Sequence, residues 1–122
     1  MIRFLVCDEF EKDIKWLSKR YFSLKEDLDD LRKALAIDPA PFYTERINNL
    51  WEHIILPVYK VKKFLCRSLK SNSKLRIIYV YDATKQEIQF IQFIEIYAKA
   101  DKEVEDRDRI NKYCRGKQSL SE

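Results

Sequence analysis

The sequence has little of what marks most cofactor and metal sites. Its 122 residues include one glycine, one histidine and three cysteines. It contains no glycine-rich phosphate loop, no HExxH metal motif and no nucleophile elbow, and its Asp and Glu residues show no metal-ligand spacing. These absences exclude the common nucleotide-binding, metalloprotease and serine-hydrolase signatures. We therefore expect neither a metal site nor a small-molecule cofactor.

Long apolar runs and paired cysteines are also missing. No run approaches the roughly 18 apolar residues of a membrane span, and the apolar run at residues 2–6 is too short for a signal peptide. Cys7, Cys66 and Cys114 are an odd number with wide, unrelated spacings, which is typical of neither a disulfide framework nor a zinc site. We expect a cytoplasmic protein without membrane contact, whose thiols are reduced and mostly buried.

The residues that are present are those of a folded domain. The chain is 46% hydrophobic and has 16 aromatic residues, a composition that excludes a disordered, core-poor protein. A chain of this length is enough for one hydrophobic core and too short for two. We expect a single domain over residues 1–122, with residues 116–122 as a frayed tail.

The first third of the chain predicts one strand and two helices. Residues 2–6 are apolar except for one arginine, as in a buried strand. Asp8 with Glu11, and then Ser23 with Glu26, resemble capping boxes. Apolar residues at helical spacing follow each pair, and the second set consists of four leucines. An antiparallel helical hairpin that covers one face of a sheet is the expected result.

From Val58 onward the hydrophobic pattern changes to a period of two. Strand patterns at residues 58–66, 75–81 and 88–97, separated by polar turns, predict an antiparallel meander of three or more strands. The segment 42–56 fits either a short strand or an irregular connection, and residues 99–115 predict a short C-terminal helix. The expected fold class is therefore α+β, in the order strand, helical hairpin, meander and helix.

The positive charge is concentrated in one stretch. Seven basic residues and no acidic residue lie between Val58 and Tyr79, so the rest of the chain sums to −3 against a net charge of +4. Lys60, Lys62 and Arg76 are expected to share a face across two adjacent strands. The alternative is a solvated strand edge, where lysines are common because they oppose aggregation. We favour a nucleic acid or an acidic partner.

Three stretches carry a resemblance to a known family. LPVYKVKKF at residues 56–64 is similar to a strand with the pattern YK-x-K/R. LRIIY at residues 75–79 is similar to a strand in which two hydrophobic residues and a tyrosine follow an arginine. IEIYAKADKE at residues 94–103 is similar to a closing strand and its lysine-rich corner. Together with the preceding strand and helices, this order resembles the RelE/ParE superfamily of bacterial type II toxins over nearly the whole chain.

The resemblance implies the toxin half of a toxin–antitoxin pair. Its RelE branch implies ribosome-dependent cleavage of mRNA and inhibition of translation, and both branches imply a cognate antitoxin protein as partner. By match, Lys60, Lys62 and Arg76 take the catalytic basic positions, and Tyr97, beside Lys99, is expected at the rim of the site as a fourth catalytic residue. The residues expected to bind RNA are Lys63, Arg67, Lys70, Lys74, Lys99 and Lys102.

The sequence also fits two other functions. The family pattern is not complete, because no histidine lies near the lysine-rich corner and no tyrosine follows it before Tyr113. This departure favours a non-catalytic binding protein, either a gyrase poison of the ParE type or a degenerate member that binds only its antitoxin. A free nucleic-acid binder is a weaker alternative. The leading expectation is a metal-independent endoribonuclease.

Overall fold

Three helices and five strands make up the described part of the chain. The computed structural model describes residues 1–62, 64 and 75–121. None of its three helices has the length and apolar character that a bilayer crossing requires. The elements confirm the expected α+β class. In chain order they are β1 (Ile2–Val6), α1 (Asp8–Leu17), α2 (Leu24–Ile37), β2 (Thr44–Arg46), β3 (Val58–Val61), β4 (Leu75–Asp82), β5 (Gln89–Ala98) and α3 (Arg107–Cys114).

All five strands belong to one sheet, in the order β1-β5-β4-β3-β2. Strands β2 to β5 pair antiparallel with their neighbours in the chain. Strand β1 instead pairs parallel with β5, so that Ile2 lies opposite Gln89 and Val6 opposite Phe93. The ambiguous segment after α2 supplies β2, a three-residue strand at the edge of the sheet.

Helices α1 and α2 contribute to the core on one face of the sheet. The four leucines of the α2 stripe are buried there, as the helical spacing predicts. Phe10 of α1 stacks on Phe93 of β5 with a distance of 5.3 Å between ring centres. Tyr79 of β4 belongs to the same core, and its hydroxyl donates a hydrogen bond to the Pro39 carbonyl at 2.6 Å. The loop after α2 is thereby fixed against the sheet.

Neither expected capping box is present. The N-cap of α1 is Cys7, and Asp8 is already helical, so its carboxylate does not take the capping position. Ser23 does precede α2, but its hydroxyl donates to the Asp27 carboxylate at 2.7 Å instead of capping the backbone. Acidic residues in the first turn of each helix still favour it, because they face the positive end of the helix dipole.

The outer edge of β5 is only partly covered by β1. Beyond the last paired residue, side chains from two helices bond to the exposed backbone. The Ile96 N–H donates to the Asp13 carboxylate at 3.2 Å, and Arg109 donates to the Ile94 carbonyl at 3.1 Å. Arg109 and Asp13 also form an ion pair at 2.6 Å. These two contacts occupy backbone groups that another strand would need for pairing.

The C-terminal tail is anchored to the sheet at Leu120, a contact that the expectation of a frayed tail over residues 116–122 did not include. Leu120 is 2% exposed and joins a second core, on the α3 side of the sheet, with Val80, Ile94 and Ile110. Its backbone N–H donates to the Asp82 carboxylate at 2.7 Å. Only one apolar residue lies between Gly116 and the end of the chain, so the hydrophobic pattern could not reveal this contact.

The packed tail makes a prediction for stability. Leu120→Ala should lower the free energy of unfolding by about 2 to 4 kcal/mol, because it leaves a cavity in the second core. Val104→Ala is the control, since Val104 is 65% exposed and its truncation should cost less than about 0.5 kcal/mol. Urea denaturation measures both values. Equal stability of the two variants would contradict the packed tail.

Candidate functional site

A bulge in β5 determines which of its residues face the α3 side of the sheet. Ile78 of β4 pairs with Glu95, whereas the next residue of β4 pairs with Phe93, so Ile94 is an extra residue in the ladder. Strict alternation would place Ile94 and Tyr97, three positions apart, on opposite faces. Both belong to the second core instead. The shift of phase brings Tyr97 to the same face as α3.

The register then brings three of the predicted catalytic residues together. Arg76 lies directly opposite Tyr97 on the neighbouring strand. Lys60 lies opposite Ile78, which is two positions after Arg76 on β4. Residues two apart on a strand share a face, and so do directly opposed residues. These three residues therefore lie on one face of the sheet, near the N-terminal end of β4: Lys60, Arg76 and Tyr97.

Lys62 lies just beyond β3 and is more exposed than Lys60. Its ammonium forms an ion pair with the Glu45 carboxylate of β2 at 3.2 Å, and both side chains are more than half exposed. Glu45 lies opposite Lys60 in the β2/β3 ladder. An exposed pair of this kind is worth little and exchanges readily for another anion.

Lys60 is paired with a buried carboxylate. Its Nζ lies 3.2 Å from Oε2 of Glu105, and the two side chains are 22% and 5% exposed. Burial opposes ionisation of Glu105, but a hydrogen bond from its own backbone N–H and the Lys60 ammonium together lower the pKa of this carboxyl below its ordinary value. Glu105 is therefore ionised at neutral pH and neutralises Lys60.

Tyr97 has a buried hydroxyl that lacks a partner. The side chain is 5% exposed, and its oxygen has no hydrogen-bond partner within the described residues. Burial raises the pKa of the Tyr97 phenol to about 12, and the negative charges of Glu105 and Glu95 act in the same direction. The phenol is protonated at neutral pH, so it can donate a hydrogen bond or a proton and cannot serve as a base.

Glu95 anchors the segment that joins β5 to α3, residues 99–106. Its carboxylate is buried and accepts a hydrogen bond from the Asp106 backbone N–H at 2.9 Å. Lys102 forms an ion pair with the same carboxylate, and its ammonium lies 5.2 Å from the centre of the Tyr97 ring. Both ends of residues 102–106 are thus held by one side chain.

The predicted RNA-binding residues divide into three groups. Lys99 is exposed in the turn after β5, and its ammonium is accessible to a ligand. Lys102 is engaged by Glu95, so it is not a free phosphate contact in this structure. The other four, Lys63, Arg67, Lys70 and Lys74, lie outside the described residues.

A cavity of about 250 Å³ adjoins the site between α1 and residues 99–106. Tyr97, Lys102 and Glu95 line it on the sheet side, and Trp16 of α1 lies on the other side. Trp16 is more than half exposed, and the Arg20 guanidinium stacks over its ring at 4.8 Å. Three cations and three carboxylates line the groove, so it has an aromatic wall but no net positive charge: Lys12, Lys102 and Arg109, and Asp13, Glu95 and Asp101.

Sequence reasoning missed both glutamates of the site. Glu95 was detectable in principle, since an acidic residue inside an apolar strand pattern is unusual and needs a buried partner. Glu105 lies in a segment dense in alternating charge, where nothing distinguishes it from its solvated neighbours. Glu105 is buried because of the way residues 99–106 fold, and no periodic pattern in that segment predicts this fold.

The site contains groups for electrostatic stabilisation and proton donation. Across the described residues, no three His, Cys, Asp or Glu side chains converge to hold a metal ion. Cys7 and Cys114 are buried free thiols, and burial raises the pKa of the Cys114 thiol to about 11, so it is not a ready nucleophile. His53 bonds to Asn111 of α3 and stacks on Trp51, which is a structural role.

Comparison with known proteins gives no family: no protein-family model, no curated protein and no solved structure matches the chain. The resemblance to the RelE/ParE superfamily therefore remains a prediction from the sequence. The geometry of Lys60, Arg76, Tyr97 and the two glutamates is the basis on which a function can be argued.

The Lys60 and Glu105 pair makes a second prediction. Glu105→Gln should lower the free energy of unfolding at pH 7 by about 1 to 3 kcal/mol, because a partly buried ammonium loses a charged hydrogen-bond acceptor. The pKa of Glu105 is lowered in the folded state. Its contribution is therefore fully present above the ordinary value of 4.5 and disappears as the pH falls through the lowered value.

Urea denaturation of wild type and variant at neutral and acidic pH measures this effect. The difference between them should shrink towards zero in acid. Glu45→Gln is the matched control, because it removes the same charge from the exposed Lys62 pair and should cost less than about 0.5 kcal/mol. A difference that does not change with pH would refute the assignment of the lowered pKa to this pair.

Proposed function

We propose that this protein is the toxin of a type II toxin–antitoxin system, of the RelE/ParE superfamily. In this proposal it is a cytoplasmic, metal-independent endoribonuclease that cleaves mRNA on the ribosome and so inhibits translation. The observation that carries the proposal is the position of Lys60, Arg76 and Tyr97 on one face of the sheet, with Arg76 directly opposite Tyr97. The family resemblance in the sequence supports it.

The reaction would be attack of an RNA 2′-oxygen on the adjacent phosphorus, with loss of the 5′-oxygen of the next nucleotide. Arg76 and Lys60 would stabilise the additional negative charge on the phosphorus oxygens in the transition state. Tyr97, with its raised pKa, holds the proton that the leaving oxygen needs. A carboxyl with a lowered pKa is a weak base, so Glu105 is poorly suited to accept the 2′-hydroxyl proton, which passes to solvent water instead. The products are a 2′,3′-cyclic phosphate and a 5′-hydroxyl, and Tyr97 regains its proton from solvent.

Two partners follow from the proposal. Exposed Lys62 and Lys99 would contact phosphates of the mRNA, in line with the basic residues of the stretch between Val58 and Tyr79. A cognate antitoxin would cover the same face with carboxylates in place of phosphates, as complementary interfaces commonly do.

One observation favours the alternative of a binding protein without catalytic activity. Lys60, Lys62 and Lys102 each form an ion pair with a glutamate of the same chain, so these three cations are already neutralised. Such a surface suits a gyrase poison of the ParE type, or a degenerate member that binds only its antitoxin. The two functions differ in whether mRNA is cut.

Induced expression in a bacterial host, followed by mapping of mRNA 5′ ends, tests the proposed function. New ends within translated frames are the expected result. Growth arrest without new ends would contradict the ribonuclease and favour gyrase or another target. The absence of arrest would favour the member that binds only its antitoxin.

The assignment of the basic residues is tested by a triple variant. Replacing Lys60, Lys62 and Arg76 by Ala should reduce mRNA cleavage at least about 100-fold, because the charge that stabilises the transition state is lost. The matched control replaces three exposed lysines of α1, α2 and the turn between them by Ala and removes the same charge: Lys15, Lys25 and Lys19. Circular dichroism checks that both fold. Persistent toxicity of the first triple variant would show that the catalytic residues lie elsewhere.

A further inference from the structure

The Glu105 carboxylate lies between two cations from different elements. Its Oε2 is 3.2 Å from the Lys60 ammonium of β3, and its Oε1 is 3.8 Å from a guanidinium nitrogen of Arg107, the first residue of α3. Each carboxylate oxygen thus faces its own cation. Glu105 itself is almost completely buried, whereas the Arg107 side chain is nearly half exposed.

Another anion can replace the Glu105 carboxylate beside these cations. Two cations, Lys60 and Arg107, contact this one carboxylate. Lysine and arginine bind carboxylates and phosphates through the same charge-assisted hydrogen bonds. A phosphodiester also presents two anionic oxygens, one for each cation, so it can replace the carboxylate without leaving Lys60 unpaired.

The Tyr97 hydroxyl is a further donor on the same face of the sheet as Lys60. It is buried without a partner among the described residues, an arrangement that costs free energy unless a ligand supplies an acceptor. Burial raises the pKa of this phenol, and the negative charges of Glu105 and Glu95 raise it further, so the hydroxyl keeps its proton and remains a donor. A phosphate has more acceptor oxygens than a carboxylate and can satisfy this donor as well.

Apart from the ion pairs of Glu105 itself, the contacts that hold residues 102–106 lie at the two ends of this segment. Glu95 binds Lys102 and the Asp106 backbone, and residues 103–105 between them belong to neither a helix nor a strand. Val104 projects into solvent, so movement of this segment uncovers little apolar surface. The main cost of removing Glu105 is its ion pair with Lys60, which an entering phosphate replaces.

We propose that Lys60, Arg107 and Tyr97 form a phosphate subsite for an RNA phosphodiester, and that Glu105 occupies this subsite until the phosphate displaces it. The proposal rests on the proposed function for the identity of the ligand. It adds Arg107 as a binding residue and assigns to Glu105 the role of an internal competitor. Binding is an exchange of anions and breaks no covalent bond.

The test measures binding of two probes, a fluorescent single-stranded RNA oligonucleotide and inorganic pyrophosphate. Glu105→Gln should bind both at least about five-fold more tightly than wild type, because the competing charge is gone. Arg107→Ala should bind both about five-fold more weakly, and its RNA affinity should depend less steeply on salt, by about 0.7 in the logarithmic slope. Thermal unfolding confirms that each variant is folded at the assay temperature.

Two controls remove the same charges elsewhere. Glu45→Gln releases Lys62 from its exposed ion pair and should change the affinities less than about two-fold. Arg115→Ala, at the opposite end of α3, removes an exposed arginine and should have an equally small effect. A gain in Glu105→Gln no larger than in Glu45→Gln would overturn the competitor role of Glu105.

The outcomes separate this subsite from the proposed function. Tighter pyrophosphate binding by Glu105→Gln, with no mRNA cleavage by any form of the protein, would leave the subsite standing and overturn the ribonuclease. Cleavage of mRNA by wild type, with no gain of affinity in Glu105→Gln and no loss in Arg107→Ala, would overturn the subsite alone. A failure of all forms to bind either probe would also overturn it.

Discussion

The extra residue in β5, Ile94, is the constraint on which the site depends. By shifting the phase of the strand, it allows Phe93 to pack under α1 while Tyr97 faces α3. Without the bulge, either the stack of Phe93 on Phe10 or the position of Tyr97 opposite the basic strand would be lost. Bulges commonly redirect side chains beside functional sites, and here the redirected residue is the one buried phenol that lacks a partner in the described structure.

Buried charge is the second organising feature. Arg109 connects α1 to the edge of β5 through Asp13, and Glu95 connects β5 to the start of α3. Each buried ion has several partners, which is the condition under which such groups are tolerated. Breaking one of these ion pairs would leave an unpaired charge, so α1, α3 and the sheet are linked by contacts that cannot be removed singly without cost.

The sequence was sufficient for features that follow a regular period. The leucine stripe of α2, the bounds of β1 and the approximate bounds of β4 and β5 agree with their patterns. The features that were missed do not follow a period. The bulge at Ile94 breaks the alternation, and the contact of Leu120 depends on one residue. Of the two capping patterns, Asp8 lies inside its helix and Ser23 bonds to a side chain. The basic residues were found because charge is visible in sequence, whereas their glutamate partners come from distant segments.

The parallel pairing of β1 with β5 has a consequence for how the chain folds. Among the described strands β1 is made first, yet the strand it pairs with, β5, in which Gln89 lies opposite Ile2, is made last. The apolar faces of α1 and α2 therefore stay exposed to solvent until β5 has been synthesised. Long-range pairing of this kind slows folding and exposes intermediates to aggregation. The newly made chain thus passes through a period in which an early binding partner would protect it.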